Sequence, residues 1–81
     1  MKVKVRYFAS ARELASASQE TLTLSEGSSV ADLVSRIGAL HPSLSKMGSS
    51  MKFSVNLNVA DLGVTLNDGD EVGVLPPVAG G

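Results

Sequence analysis

The sequence has 81 residues, which is enough for one small domain and no more. Its net charge of −1 gives no electrostatic basis for binding nucleic acid or an anionic membrane surface. The absence of cysteine excludes disulfides, thiolate metal sites and catalysis by a thiol of this chain. No apolar run approaches the roughly 20 residues of a membrane span, and the N-terminus does not resemble a targeting peptide. We therefore expect a cytoplasmic protein.

The first part of the chain predicts two strands joined by a short helix. Apolar and basic residues alternate over residues 2–7, as in a half-buried strand. Phe8 falls out of phase with the apolar face, so it is either covered by the next segment or exposed to a partner. Residues 9–17 favour one or two helical turns, and Glu20–Leu24 alternates as a second strand. The short spacing predicts that the two strands pair antiparallel.

The middle of the chain carries the clearest helical pattern. Ser29 is a predicted N-cap, and Asp32 lies where the acid of a capping box belongs. Apolar residues recur at helical spacing over residues 30–40. We expect the helix to end at His41, which a proline follows. No second ligand or nucleophile accompanies this single histidine, so local packing or the helix dipole is its predicted role.

The second half of the chain predicts three more strands, over Phe53–Val59, Val64–Leu66 and Glu71–Leu75. One long helix among about five strands predicts an α+β fold of the β-grasp, or ubiquitin-like, type over residues 1–75. Its simplest form places the first and last strands side by side and parallel. Leu75, which is also out of phase, would then lie near Phe8, and the two side chains would form an exposed apolar patch.

The turn before the last strand is acidic, with Asp68, Asp70 and Glu71. Its spacing lacks the pattern of a calcium loop, so a solvated turn is the favoured interpretation. An acidic spot that meets basic residues of a partner stays open. The serines belong to no nucleophile motif, and the glycines form no phosphate-binding loop. We therefore expect no metal, no bound cofactor and no catalysis by this chain alone.

The chain stops in Pro76-Pro77-Val78-Ala79-Gly80-Gly81. The prolines cannot extend a sheet and stiffen the base of this segment, whereas glycines without a Cβ form the thinnest possible chain. A frayed terminus is the alternative, since most chain ends are poorly ordered. The pattern nevertheless favours an extended tail over residues 76–81 that enters a narrow site of another protein. The predicted reactive group is the carboxylate of Gly81.

The sequence resembles the small, sulfur-carrying subunits of molybdopterin synthase along nearly its whole length. The matching motifs are Tyr7-Phe8-Ala9 with Arg12-Glu13-Leu14, His41-Pro42, Val55-Asn56, Leu66 before Asp68-Gly69-Asp70-Glu71-Val72, and the six-residue tail. Gly73 and Val74 stand where bulkier residues are common in that family.

This resemblance implies that other proteins perform the catalysis. An E1-like adenylyltransferase would use ATP to adenylate the Gly81 carboxylate, and a sulfurtransferase donor would convert it to a thiocarboxylate. The tail, including Gly80, would then enter the large synthase subunit and give sulfur to precursor Z (cyclic pyranopterin monophosphate). The family implies an assembly of two small and two large subunits. The implied partner contacts are Phe8, Val59, Leu75, Pro76, Pro77, Val78 and Ala79.

Other functions stay open at this point. The same fold and tail would suit a ubiquitin-like protein modifier, whose Gly81 forms an isopeptide bond with lysines of other proteins. They would also suit a passive interaction module whose tail has no role. Sulfur carriers for thiamin synthesis or tRNA thiolation share the chemistry, although the two prolines before the tail and the chain length make the thiamin carrier the weaker candidate.

Overall fold

A computed structural model describes residues 1–46 and 50–77. The strands are β1 (Lys2–Tyr7), β2 (Gln19–Thr23), β3 (Lys52–Val55), β4 (Asn58–Ala60) and β5 (Glu71–Leu75). The helices are α1 (Ser10–Ala15), α2 (Val30–Leu40) and α3 (Pro42–Ser45). The strands form one mixed sheet in the order β2-β1-β5-β3-β4. Within the described ranges, no helix has the length and apolar character needed to cross a bilayer.

The first and last strands lie side by side at the centre of the sheet, as predicted. β1 and β5 are parallel, with Val5 beside Val72 and Tyr7 beside Val74. These four side chains are buried and belong to the main hydrophobic core. β2 pairs antiparallel with β1, and β3 pairs antiparallel with β5. The α+β, β-grasp fold is confirmed.

Helix α2 begins and ends at the predicted residues. The Ser29 side chain accepts a hydrogen bond from the backbone N–H of Asp32, and the Asp32 carboxylate accepts one from the backbone N–H of Ser29. This capping box satisfies two backbone donors that the first helical turn would otherwise leave unpaired. The helix ends at His41, whose backbone N–H donates to the carbonyl of Ile37.

The predicted strand over Phe53–Val59 is wrong, because the chain reverses in its middle. β3 and β4 form a hairpin closed by Asn56 and Leu57, whose φ angles are both positive, 49° and 74°. Positive φ at both central residues is what a type I′ turn requires. Apolar and polar residues continue to alternate through the turn, and Leu57 stands where a type I′ turn prefers glycine. The turn could therefore not be recognised from the sequence.

The short strand predicted over Val64–Leu66 is also wrong as an element of the sheet. In the described part of the chain, this segment forms one isolated bridge, between Thr65 and Ser29. The backbone N–H of Leu66 donates to the carbonyl of Ser28, and that of Val30 donates to the carbonyl of Val64. The segment therefore fastens the start of α2 instead of extending the sheet.

Two leucines on α2 should respond very differently to the same substitution. Leu33 is fully buried, whereas Leu40 is 47% exposed. Leu33→Ala should lower the free energy of unfolding by about 3 kcal/mol, because it removes packed methyl groups and leaves a cavity. Leu40→Ala should cost less than about 1 kcal/mol, since the side chain is partly solvated. Urea unfolding of both variants measures the difference. Equal losses would contradict the burial of Leu33 in the hydrophobic core.

Candidate docking surface and tail

The strand register places several predicted partner contacts on one face of the sheet, opposite the core. We call this the outer face. Leu75 follows the buried Val74 and therefore points outward. Val59 pairs with Ser54, and Ser54 pairs with Gly73, so Val59 lies on the same outer face as Gly73. Val59 is 82% exposed and Leu75 is partly exposed. Their role as partner contacts stays a prediction, but the fold leaves both side chains accessible.

Phe8 also lies on the outer face, held close to the backbone of β5. Its ring carbon Cε2 would be 3.2 Å from a Cβ added to Gly73, so the ring occupies space that a larger residue would need. Its backbone N–H donates to the carbonyl of Val74. The Arg6 guanidinium lies 5.8 Å from the ring centroid, a cation–π arrangement. Phe8 is 39% exposed and is therefore both fixed in place and available to a partner.

A shallow dimple lies over Gly73 on the outer face. Its lining residues are Arg6, Phe8, Ser54, Leu57, Glu71 and Gly73. On one side of the dimple, Nη1 of Arg6 lies 3.8 Å from Oε2 of Glu71, and this ion pair forms a polar rim. Leu57 closes the other side and is 88% exposed. The sequence prediction did not include Leu57 because it placed this residue on the same face as Phe53 within one continuous strand.

The base of the tail continues from the edge of this surface. Pro76 is partly buried and Pro77 is exposed, directly after the end of β5. The predicted contacts Val78 and Ala79 and the predicted reactive residues Gly80 and Gly81 lie outside the described residues. Their assignments stay predictions from the sequence.

The acidic turn is tied into the fold by hydrogen bonds. Asp70 accepts from the backbone N–H of Asn67 at 2.8 Å and from the side-chain amide of Asn56 at 3.0 Å. Asp68 accepts from the backbone N–H of Lys2 at 2.7 Å. These carboxylates therefore close the turn and fasten it to the hairpin and to β1. Among the described residues, no group of three or more metal-ligating side chains is placed to hold an ion.

A polar cluster connects the end of α2 with the edge of the sheet. The Tyr7 hydroxyl donates to the Glu20 carboxylate, and Nε2 of His41 lies 2.8 Å from the same oxygen. The Tyr7 and His41 rings meet edge to face, with centroids 5.6 Å apart. Partial burial opposes ionisation of Glu20, but the hydrogen bonds from Tyr7 and His41 and the charge of His41 outweigh it and lower its pKa. Burial, followed by the hydrogen bond to Glu20, raises the pKa of Tyr7. His41 thus has a packing role.

This cluster should make stability depend on acidity. Because the folded-state pKa of Glu20 is lowered, its ionised form stabilises the fold above the unfolded-state pKa, and this contribution disappears as pH falls through the folded-state value. Glu20→Gln should therefore lower the free energy of unfolding at pH 7 by about 1 kcal/mol, a value reduced for solvent screening. The difference from wild type should vanish in acid. Urea unfolding across pH measures the difference, with Glu13→Gln as the control because Glu13 is an exposed residue of α1. A pH-independent difference would refute the assignment.

The described fold is that of a small β-grasp protein, and comparison with known proteins agrees. The chain belongs to the ThiS family, whose profile matches residues 5–81. Among curated proteins it is similar to molybdopterin synthase sulfur carrier subunits. It is 37% identical to that of Chlamydomonas reinhardtii, with 100% of both chains covered. It is 35% identical to that of Mycobacterium tuberculosis, covering 100% of this chain and 99% of the relative. The family predicted from the sequence is confirmed.

Solved structures show the same fold. The small archaeal modifier SAMP1 from Haloferax volcanii superposes with a TM-score of 0.90 at 25% identity, with both chains fully covered. A Pyrococcus furiosus protein assigned as molybdopterin converting factor subunit 1 gives a TM-score of 0.88 at 36% identity, covering 96% of this chain and 99% of that one. One chain of the complex of subunits 1 and 2 of the molybdopterin-converting factor from Helicobacter pylori gives a TM-score of 0.71 at 26% identity. The match covers 100% of this chain and 100% of that chain.

Proposed function

We propose that this chain is the sulfur carrier subunit of a molybdopterin synthase. The observation that carries the proposal is its similarity, over the full length of both chains, to curated subunits of that name. The sequence supplies a chemical reason. A chain without cysteine has no side-chain thiol on which to carry sulfur, whereas a C-terminal carboxylate can hold sulfur as a thiocarboxylate.

The proposed loading occurs in three steps at Gly81. A carboxylate is a poor electrophile, so an E1-like adenylyltransferase first joins one of its oxygens to the α-phosphorus of ATP and releases pyrophosphate. The outer sulfur of a sulfurtransferase persulfide then attacks the carbonyl carbon, and AMP leaves with the original oxygen. A second thiol attacks the inner sulfur of the resulting acyl disulfide, so that the sulfurtransferase leaves as a disulfide and the thiocarboxylate is released. ATP serves the activating enzyme, and the chain itself needs no bound cofactor. The loaded tail would then donate its sulfur to precursor Z, and we place these steps in the cytoplasm.

The proposed acceptor site lies on the large synthase subunit. The Helicobacter pylori relative was solved in complex with its subunit 2, which supports a partner of this kind. A six-residue tail reaches at most about 20 Å when fully extended. The partner that takes the tail must therefore lie against the carrier near Leu75, where the outer face offers exposed apolar side chains. The proposed assembly contains two small and two large subunits.

Intact-mass spectrometry tests the proposal directly. The chain is incubated with the activating enzyme, ATP and a sulfurtransferase with its sulfur source. The expected result is a mass gain equal to the replacement of one oxygen by sulfur, absent when ATP is withheld. An unchanged mass, with partner enzymes that load a known carrier in parallel, would refute the sulfur-carrier function.

The protein-modifier alternative is not favoured. The likeness to SAMP1 from Haloferax volcanii is close in shape, but its 25% sequence identity is lower than the 37% identity to the sulfur carrier subunit of Chlamydomonas reinhardtii. Gly81 recovered in isopeptide conjugates with lysines of other proteins would reverse this preference.

A further inference from the structure

The fold of the isolated chain does not explain why residue 57 is a leucine. It is the second central residue of the type I′ turn, with φ 74°. Residues with a side chain seldom adopt positive φ, and glycine or asparagine is preferred there. Its side chain is also 88% exposed, so it contributes little to the core. A strained residue that does not stabilise its own fold indicates a functional constraint.

The surroundings of Leu57 suggest what that function is. Leu57 faces Phe8 across the dimple whose floor is Gly73. Val59, two residues further on, is 82% exposed on the same outer face. Single exposed apolar residues are ordinary, but a cluster bordered by the Arg6–Glu71 pair has the apolar centre and polar rim of a protein interface.

We propose that Leu57 is a specificity-determining contact for the large synthase subunit, one of whose apolar side chains would occupy the dimple between Leu57 and Phe8. This inference rests on the proposed function. The floor of the dimple, Gly73, lies only two residues before Leu75, or about 7 Å along the strand. That distance is well within the reach of the tail, so a partner that takes up the tail would also cover the dimple.

Leu57→Asn separates binding from folding. Asparagine tolerates positive φ, so the thermal unfolding midpoint should equal or exceed that of the wild type. The Kd for the purified large subunit, measured by isothermal titration calorimetry, should rise about tenfold or more because an apolar contact is lost. The matched control is Leu40→Asn. Leu40 is 47% exposed at the end of α2 and lines neither the dimple nor the surface around Val59, so its substitution should leave the Kd unchanged.

Three outcomes would overturn the inference, and they are distinguishable. Wild-type chain that fails to bind the large subunit would remove the proposed partner and, with it, the role of Leu57. Wild-type binding with a Kd for Leu57→Asn within twofold would overturn the role of Leu57 alone. Equal weakening by Leu57→Asn and Leu40→Asn would show that the dimple is not the specific contact.

Discussion

A chain that lacks Gly81 is expected to accept no measurable sulfur, although it folds normally and still docks on its partner. The deletion leaves a carboxylate on Gly80, but places it one residue, about 3.5 Å, short of its position in the full chain. Displacement of a reacting group by as little as 1 Å can cost about 100-fold in rate. We therefore expect thiocarboxylate formation to fall by at least that factor in the intact-mass assay.

Gly81→Ala gives the companion measurement because it keeps the length of the tail and the terminal carboxylate. It adds one Cβ, which a narrow channel would resist, so loading should fall between the wild type and the deletion. The Kd for the large subunit should change little in both variants, since the outer face is intact. Normal loading of the deleted chain would show that the reactive group is not the Gly81 carboxylate.

Local signals in the sequence predicted the scaffold well. The capping box at Ser29 and Asp32 fixed the start of α2 because both partners lie within one helical turn. The strict alternation of β1 identified its buried face, and the connection through one long helix implied that β1 and β5 are parallel neighbours. These features depend on neighbours in the sequence or on few topological choices, so one sequence is enough to find them.

The hairpin could not be predicted because its turn residue is unusual. Asn56 and Asn58 favour turns, but Leu57 between them continued the apolar alternation and outweighed that signal. Moving the turn into the predicted strand changes the face on which Leu57 lies. It also explains how Val59 can be exposed while Phe53, six residues earlier, is buried.

Contacts between residues that are far apart in the sequence could not be predicted either. Glu20 was assigned only to a strand, yet it accepts hydrogen bonds from Tyr7 and lies beside His41, 21 residues later in the chain. The dimple likewise needs β1, β3, β5 and the hairpin turn together. The motif of the tail could be recognised from sequence alone, whereas the shape of the surface beside it required the strand register.

Phe8→Ala is expected to weaken binding to the large subunit by about 30-fold or more, because buried aromatic anchors dominate many interfaces. In the free chain Phe8 is 39% exposed and packs partly against Gly73, so the variant should lose about 1–2 kcal/mol of stability. The position of the ring against Gly73 and beneath Arg6 already fixes its orientation, which lowers the entropy lost on docking. Calorimetric titration gives the Kd, and thermal unfolding gives the stability.

Leu14→Ala is the matched control, because Leu14 is also 39% exposed but lies on α1. It should bind like the wild type. Equal weakening by the two variants would mean that general apolar exposure, and not the outer face, determines docking. Phe8→Ala should also be non-additive with Leu57→Asn, since both side chains line the same dimple. Additive changes in binding free energy would show that Phe8 and Leu57 make separate contacts. They would contradict the proposal that one partner side chain in the dimple contacts both residues.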